Sequence, residues 1–226
     1  ILIGDTKIIF KGDRLSYSVF SKGLGIDALK VTKEVKEKGG LISKKGSKTL
    51  VDGVSISVKP GELVALIGGS GAGKSTLMDC LNGFRKATGG QVLVNGDDFY
   101  ANYDAYKSVL GYVPQQDIVY DTLTVEQMLQ YAAMLRMPED TTTEERREQV
   151  RKVIKSVELE GRENLVIKNL SGGQKKRVSI AVELLADPKL FFLDEPTSGL
   201  DPGMERNIMH LLKNLSNTGK TIILVT

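Results

Sequence analysis

The sequence predicts an α/β domain built on a mostly parallel sheet. Three observations carry this. From Thr49 to Thr226, apolar strand-like runs alternate with helix-like segments. Two runs, Leu63-Val64-Ala65-Leu66-Ile67 and Leu190-Phe191-Phe192-Leu193, are apolar throughout, the pattern of strands buried on both faces. Glycines follow the first of these runs and two acids follow the second, which places polar chemistry at strand ends. Strands joined by helices form layers with the sheet in the middle.

The elements follow in order. Lys7 to Phe10 leads through Lys11-Gly12-Asp13 into Arg14 to Val19, and Gly-Asp between alternating apolar residues signals a hairpin. Ser21 to Gly25 reads as a linker. Ile26 to Val35 alternates imperfectly and reads as a strand. Lys36 to Ser47, rich in Lys, Gly and Ser, reads as a loop. After the strand Leu63 to Ile67 come glycines and a helix from about Lys74 to Asn82. Gln91 to Val94 and Leu110 to Val113 are further strands. Thr124 starts a helix, and Gln127 three residues on completes a capping box. Thr143 to Val157 is a charged, amphipathic helix, and Ser171 to Leu185 is a third long helix. Leu190 to Leu193 is a strand. Pro202 opens a helix to about Asn217, since a first-turn residue needs no N–H. Thr221 to Val225 is the last strand. The sequence shows no internal repeat.

Composition bounds the function classes. The 226 residues, 41% hydrophobic, suffice for one sizeable core and a short piece of a second domain. The net charge is +3, with acids and bases interspersed, which argues against a nucleic-acid partner. The one basic run, Lys36 to Lys48, reads as a solvated loop in preference to a phosphate or lipid contact. Cys80 is the sole cysteine, so no internal disulfide forms. In a helix it reads as a small buried apolar residue, and a reducing cytoplasm suits it. No apolar run reaches the roughly 18 residues of a membrane helix, and the start carries no signal peptide. As given, the sequence reads as soluble. Its abrupt start at Ile1-Leu2-Ile3 and its stop at Val225-Thr226, within a strand, read as those of a fragment.

Gly68-Gly69-Ser70-Gly71-Ala72-Gly73-Lys74-Ser75-Thr76 fits the pattern G-x-x-x-x-G-K-[ST]. Glycines let the backbone curl so that successive N–H groups face one anion. The following helix adds its free N-terminal amides and the positive end of its dipole. Lys74 reaches β- and γ-phosphates, and the Ser75 hydroxyl is a ligand for Mg²⁺. The alternative is a glycine-rich turn that binds nothing; the apolar strand before and the helix after favour the phosphate site. Asp194 and Glu195 close the second apolar run, and the carboxyl edge of a parallel sheet is where ligands bind. Asp194 is placed to hold Mg²⁺, through water, and Glu195 to polarise an attacking water. The competing reading is a polar strand end before the turn Pro196-Thr197-Ser198-Gly199.

Leu170-Ser171-Gly172-Gly173-Gln174 opens a helix, which makes a second anion-binding end. With this segment the sequence resembles ABC ATPases, whose defining signature is LSGGQ. The resemblance covers about Ile26 to Thr226. It implies a P-loop NTPase core with a mostly parallel sheet, an antiparallel β subdomain and an inserted α-helical subdomain at about 104–170. It implies ATP and Mg²⁺ as ligands, and a head-to-tail, ATP-dependent homodimer. In that dimer Ser171, Gly172, Gly173 and Gln174 act in trans on ATP held by the other phosphate loop. Gln115, in Gly111-Tyr112-Val113-Pro114-Gln115, resembles the glutamine that ligates Mg²⁺ and senses the membrane domain, with Gln116 as its competitor. Asp201, in Ser198-Gly199-Leu200-Asp201, resembles the loop that communicates across the dimer. Glu195, Lys74 and Gln115 are thus the expected catalytic residues, and Ser75, Gln115 and Asp194 the metal ligands. The segment Asp117 to Thr124 is the expected contact for a membrane partner.

Two departures stand out. Where the family stacks an aromatic on adenine, this sequence has Val35, with Tyr17 the nearest substitute, so no adenine residue is assigned. The family's histidine after the last strand would follow Thr226. His210, the sole histidine, lies within a helix and reads as a surface residue.

Thr124 to Leu129, Leu135-Arg136-Met137-Pro138 and Lys175 to Ser179 resemble the G, or White, subfamily of exporters. There the ATPase precedes its membrane domain in one chain at the cytoplasmic face of the plasma membrane. Residues 1–22 resemble the tail of an FHA domain plus a linker, with the ATPase at 23–226; an N-terminal extension of the ATPase is the alternative. Ribosome-associated or DNA-repair ABC ATPases, a non-hydrolysing ATP switch, and an importer are the rival readings. The first two need paired cassettes or a long coiled-coil insertion, neither of which appears, and the intact Asp194-Glu195 pair argues against the switch. A chain continued past Thr226 is expected to turn over ATP faster than this one; equal steady-state rates would contradict that.

Overall fold

The computed structural model describes residues 2–3, 6–19, 23–36 and 46–226. The first strands are β1 (Leu2–Ile3), β2 (Thr6–Lys11) and β3 (Arg14–Val19), which form a three-stranded antiparallel sheet of their own. The hairpin turns at Gly12-Asp13, where Gly12 has φ +64°, and Lys11 pairs with Arg14.

Four strands make the antiparallel second sheet, in the order β5-β4-β7-β8: β4 (Ile26–Lys36), β5 (Ser47–Val58), β7 (Gly89–Val94) and β8 (Asp97–Asp98). The sequence reading placed no strand where β5 runs. Of the basic run, Lys36 ends β4 and Ser47 and Lys48 open β5, while 37–45 lie outside the described residues. Of the stretch read as a linker, Ser21 and Lys22 lie outside the described residues, while Gly23 and Leu24 are buried. A Cβ on Gly23 would come within 2.3 Å of the Gly219 carbonyl, so the segment is packed against the end of a helix.

The third sheet is parallel, in the order β6-β11-β10-β9: β6 (Leu63–Leu66), β9 (Leu110–Val113), β10 (Leu190–Asp194) and β11 (Thr221–Val225). Around it pack α1 (Lys74–Leu81), α2 (Tyr103–Tyr106), α3 (Val125–Arg136), α4 (Thr143–Ser156), α5 (Gly172–Leu184) and α6 (Pro202–Asn217). The stretch 104–170 holds α3 and α4 but also β9, which pairs with β10.

Alternation along β10 and β11 divides two cores. Phe191, Leu193, Ile222 and Leu224 join residues of α3, α4, α5 and α6. Leu190, Phe192, Ile223 and Val225 join α1, β4, β5 and β7. Each fully buried Phe or Leu here contributes roughly 1.5–3 kcal/mol. Gly111 is required by that packing, since a Cβ there would sit 2.6 Å from the Phe191 ring.

The first apolar run differs from expectation. It was read as buried on both faces, yet β6 is half-exposed and Ile67 is 80% exposed. Among the described residues β6 pairs only with β11, so one side of the strand is an edge. Helix starts match the sequence closely. Thr124 and Thr142 close capping boxes with Gln127 and Glu145, each worth on the order of 1 kcal/mol.

Candidate active site

Register builds the site. Leu66, Val225 and Asp194 stand side by side, and Val113 stands beside Leu193. All four strands run the same way, so the residues just past each end emerge at one edge. These are Gly68, Gln115 and Glu195, with Asp194 at the very end of β10.

The loop Ile67 to Gly73 links β6 to α1. Gly71 has φ +77° and Gly73 has φ +86°, a region that glycine enters without penalty. A Cβ on Gly73 would also lie 2.4 Å from the Leu50 carbonyl oxygen. The Ala72 amide donates to the Gly69 carbonyl at 3.2 Å and tightens the curl. Helix bonding starts with Leu77 N–H to Gly73 O at 2.8 Å, which leaves the amides of Lys74, Ser75 and Thr76 at the positive end of the dipole. The Lys74 ammonium donates to the carbonyls of Gly68 (2.7 Å) and Gly69 (3.2 Å) and so lies over the loop.

The carboxylates adjoin it. The Ser75 hydroxyl donates to Asp194 Oδ1 at 3.2 Å. Burial pushes the Asp194 carboxyl above its ordinary range; the Ser75 bond opposes this, the Glu195 charge adds to it, and Lys74 opposes it. Glu195 has φ +44°, a strained value for a side chain of its size. Its own N–H donates to Val225 O at 3.0 Å, extending the sheet by one residue. The Gln115 amide nitrogen donates to Glu195 Oε2 at 2.7 Å. This bond favours Gln115 over Gln116. The phosphate loop, Asp194, Glu195 and Gln115 are therefore brought together. Ser75 Oγ, the Asp194 carboxylate and the Gln115 amide oxygen are the hard oxygen donors that Mg²⁺ takes, and the first two already converge.

The signature segment stands apart. Ser171 caps α5 in a capping box: Gln174 N–H donates to Ser171 Oγ (3.3 Å) and Ser171 N–H to Gln174 Oε1 (2.9 Å). S-x-x-Q spacing could have announced this from sequence. Gly173 is buried, and a Cβ on it would meet Met204 Sδ at 3.1 Å, so α6 can lie close against α5. The cleft beside the signature, about 270 Å³, is lined by Ser171, Gly173, Gln174, Arg177 and Met204 among others, and by no phosphate-loop residue. Asp201 caps α6, accepting from the amides of Gly203 and Met204 at 2.9 Å each. Asp immediately before Pro202 was the missed signal for that role. Val35 is half-buried in β4, Tyr17 lies in the separate N-terminal sheet, and His210 is exposed on α6.

A family model described as ABC transporter matches residues 51–198. The chain belongs to the ABC transporter family. It is 46% identical over 181 residues to the ABC transporter ATP-binding/permease protein Rv1747 of Mycobacterium tuberculosis, covering 80% of this chain and 21% of that protein. It is 44% identical over 199 residues to ABC transporter G family member 38 of Arabidopsis thaliana, covering 84% and 14%. With the broad substrate specificity ATP-binding cassette transporter ABCG2 of Rattus norvegicus it shares 40% identity over 201 residues, covering 85% and 30%. The chain spans less than a third of the length of these relatives. Among solved structures, CbiO1 of Clostridium perfringens superposes with TM-score 0.74 at 30% identity, covering 89% of this chain and 77% of that one. A dimeric post-hydrolysis state of the ATP-binding cassette MJ0796, bound to ADP and Pi, gives TM-score 0.72 at 30% identity, covering 89% and 87%. The chain is thus an ABC transporter ATP-binding domain, with G-family members among its relatives.

The loop geometry yields a prediction for this ABC domain. Gly73→Ala forces a Cβ onto the Leu50 carbonyl at positive φ, costing on the order of 1–3 kcal/mol. Both the urea midpoint and ATP affinity are expected to fall; a variant matching the parent in both would contradict the assigned geometry.

Proposed function

We propose that this domain binds Mg·ATP on Gly68–Thr76 and hydrolyses it within a head-to-tail homodimer. The carrying observation is the double contact at the sheet edge, Ser75 with Asp194 and Gln115 with Glu195. Amides of the loop and of α1 take the phosphates, and Lys74 exchanges its loop carbonyls for β- and γ-phosphate oxygens. Ser75, Gln115 and Asp194 would hold Mg²⁺, which when bound would neutralise charge on those oxygens. Glu195, oriented by the Gln115 amide, positions water for in-line attack on the γ-phosphate. Charge that develops on the transferring group is met by Lys74 and by amides at the α5 start of the partner subunit. Action in trans is favoured because the cleft at Ser171, Gly173 and Gln174 contains no residue of its own phosphate loop. The dimeric state of the MJ0796 cassette supports the same reading. Asp201, capping α6 next to Gly173's contact Met204, sits where it can report closure across the dimer.

The work is export, by a membrane domain in the same full-length chain at the cytoplasmic face of the plasma membrane. The G-family relatives support a transporter domain of this subfamily, and export is the direction that the resemblance to G-type exporters implies. An apolar groove of about 670 Å³, lined by Tyr112, Ile118, Tyr120, Tyr131 and Leu135 among others, offers the membrane partner a seat beside Gln115. Ile118 is 73% exposed and Leu135 87%, too much apolar surface for a face turned only to water. Among the described residues no helix is long and apolar enough to cross a membrane. Residues 1–22 belong to an upstream FHA-like β domain and linker; among the described residues, the sheet of β1, β2 and β3 pairs with neither of the others, which supports this boundary.

Glu195→Gln keeps the Gln115 contact but removes the base. Turnover is expected to fall on the order of 10²-fold. ATP is expected to accumulate a stable dimer, read by light scattering. Unchanged steady-state turnover would remove Glu195 from this role.

A further inference from the structure

Lys176 is an unusual resident of α5. It is 3% exposed, in a helix whose apolar residues pack into the first of the two cores. An ammonium taken from water is costly unless partners replace the solvent. Two partners do. Nζ donates to the carbonyl oxygen of Gln115 at 3.0 Å and pairs with Asp117 Oδ1 at 2.7 Å, where the Asp117 side chain is 24% exposed. The preceding residue, Lys175, pairs with Asp121 Oδ1 at 2.9 Å. Consecutive helix residues point about 100° apart, so the two lysines hold the loop after β9 at two separate points.

Gln115 is thereby fixed at both ends. Its backbone is tied to α5 through Lys176, and its side chain is tied to Glu195 at 2.7 Å. Five residues before Lys176, Ser171 caps the same helix. A polar chain therefore runs from the signature helix through Lys176 and Gln115 to the carboxylate. Packing alone does not account for it, because a buried ion pair holds a fold no better than an apolar pair of similar size.

We propose that Lys176 is a positioning residue for hydrolysis, locking the Gln115 backbone to the signature helix so that Gln115 holds Glu195 against the γ-phosphate. This rests on the roles of Glu195 and Gln115 given above. Any displacement of the α5 start is passed to Glu195 through those bonds, which links closure of the signature to alignment of the base.

The test uses the full-length protein and the variants Lys176→Met, Lys176→Arg, Gln115→Ala and Lys176→Met/Gln115→Ala. Readouts are kcat, the Kd for an ATP analogue, and the thermal midpoint. Misplacement of a reacting group by about an ångström costs on the order of 10²-fold. Lys176→Met is thus expected to lower kcat roughly 10- to 100-fold while the Kd stays within about twofold. Lys176→Arg, which keeps a donor for the Gln115 carbonyl, is expected to recover most of the loss. In the Gln115→Ala background, Lys176→Met is expected to cost little more, because the side chain through which it acts is gone. Full kcat in Lys176→Met overturns the proposal, as do losses that multiply in the double variant. Equal falls in kcat, affinity and thermal midpoint overturn it in favour of a structural role. If the unsubstituted protein shows no Glu195-dependent turnover, the parent reading fails. If that turnover is present and Lys176 is indifferent, only this inference fails.

Discussion

Double-sided burial of β10 and β11 is the constraint on which the rest depends. These strands alternate Phe191, Leu193, Ile222 and Leu224 toward one core with Leu190, Phe192, Ile223 and Val225 toward the other. A slip of one residue would send each set to the wrong side. Their register is therefore strongly fixed. With it is fixed the level at which every parallel strand ends, because Leu66 and Asp194 flank Val225 and Val113 flanks Leu193. Placement of the phosphate loop, Asp194, Glu195 and Gln115 follows from hydrophobic packing some residues away.

The polar edge then adds its own constraints. Glu195 is held at positive φ, which a bulky residue adopts only when the surroundings impose it. Here the imposing groups are Val225 O, which takes its amide, and Gln115, which takes its carboxylate. The Asp194 carboxyl, raised by burial, is partly repaid by Ser75. An edge of this kind is costly for the fold, since groups that water would otherwise solvate are held in fixed positions, as the proposed chemistry requires.

Much of this was legible in the sequence. β9, β11 and α6 match their expected bounds and α3 its expected start, because local chemistry marks them: Pro202 at the start of α6, Thr124 with Gln127 at the start of α3, and largely apolar runs between polar ones for the strands. That Gly68–Thr76 and the Asp194-Glu195 pair meet at one sheet edge was readable because each follows an apolar run that ends there. Other features were hidden for physical reasons. Leu63 to Ile67 and Leu190 to Leu193 look alike as strings, but only the second lies mid-sheet; neighbours decide burial, and neighbours are not local. β5 escaped because Val51, Val54, Ile56 and Val58 are interrupted by Gly53 and by bulged pairing with β4. Nothing local in Gln174-Lys175-Lys176-Arg177 marks Lys176 for burial, and only tertiary contact with Gln115 and Asp117 gives it a buried role.

The central claim is that one sheet edge holds phosphate, cation and base together. Its most direct test is a crystal structure of the domain with Mg²⁺ and a non-hydrolysable ATP analogue. The account predicts phosphate oxygens on the amides following Gly69, the cation within coordination distance of Ser75 Oγ and facing Asp194, and the Glu195 carboxylate turned to the γ-phosphate. An analogue bound away from Gly68–Thr76, or a cation with neither Ser75 nor Asp194 in its surroundings, would contradict it.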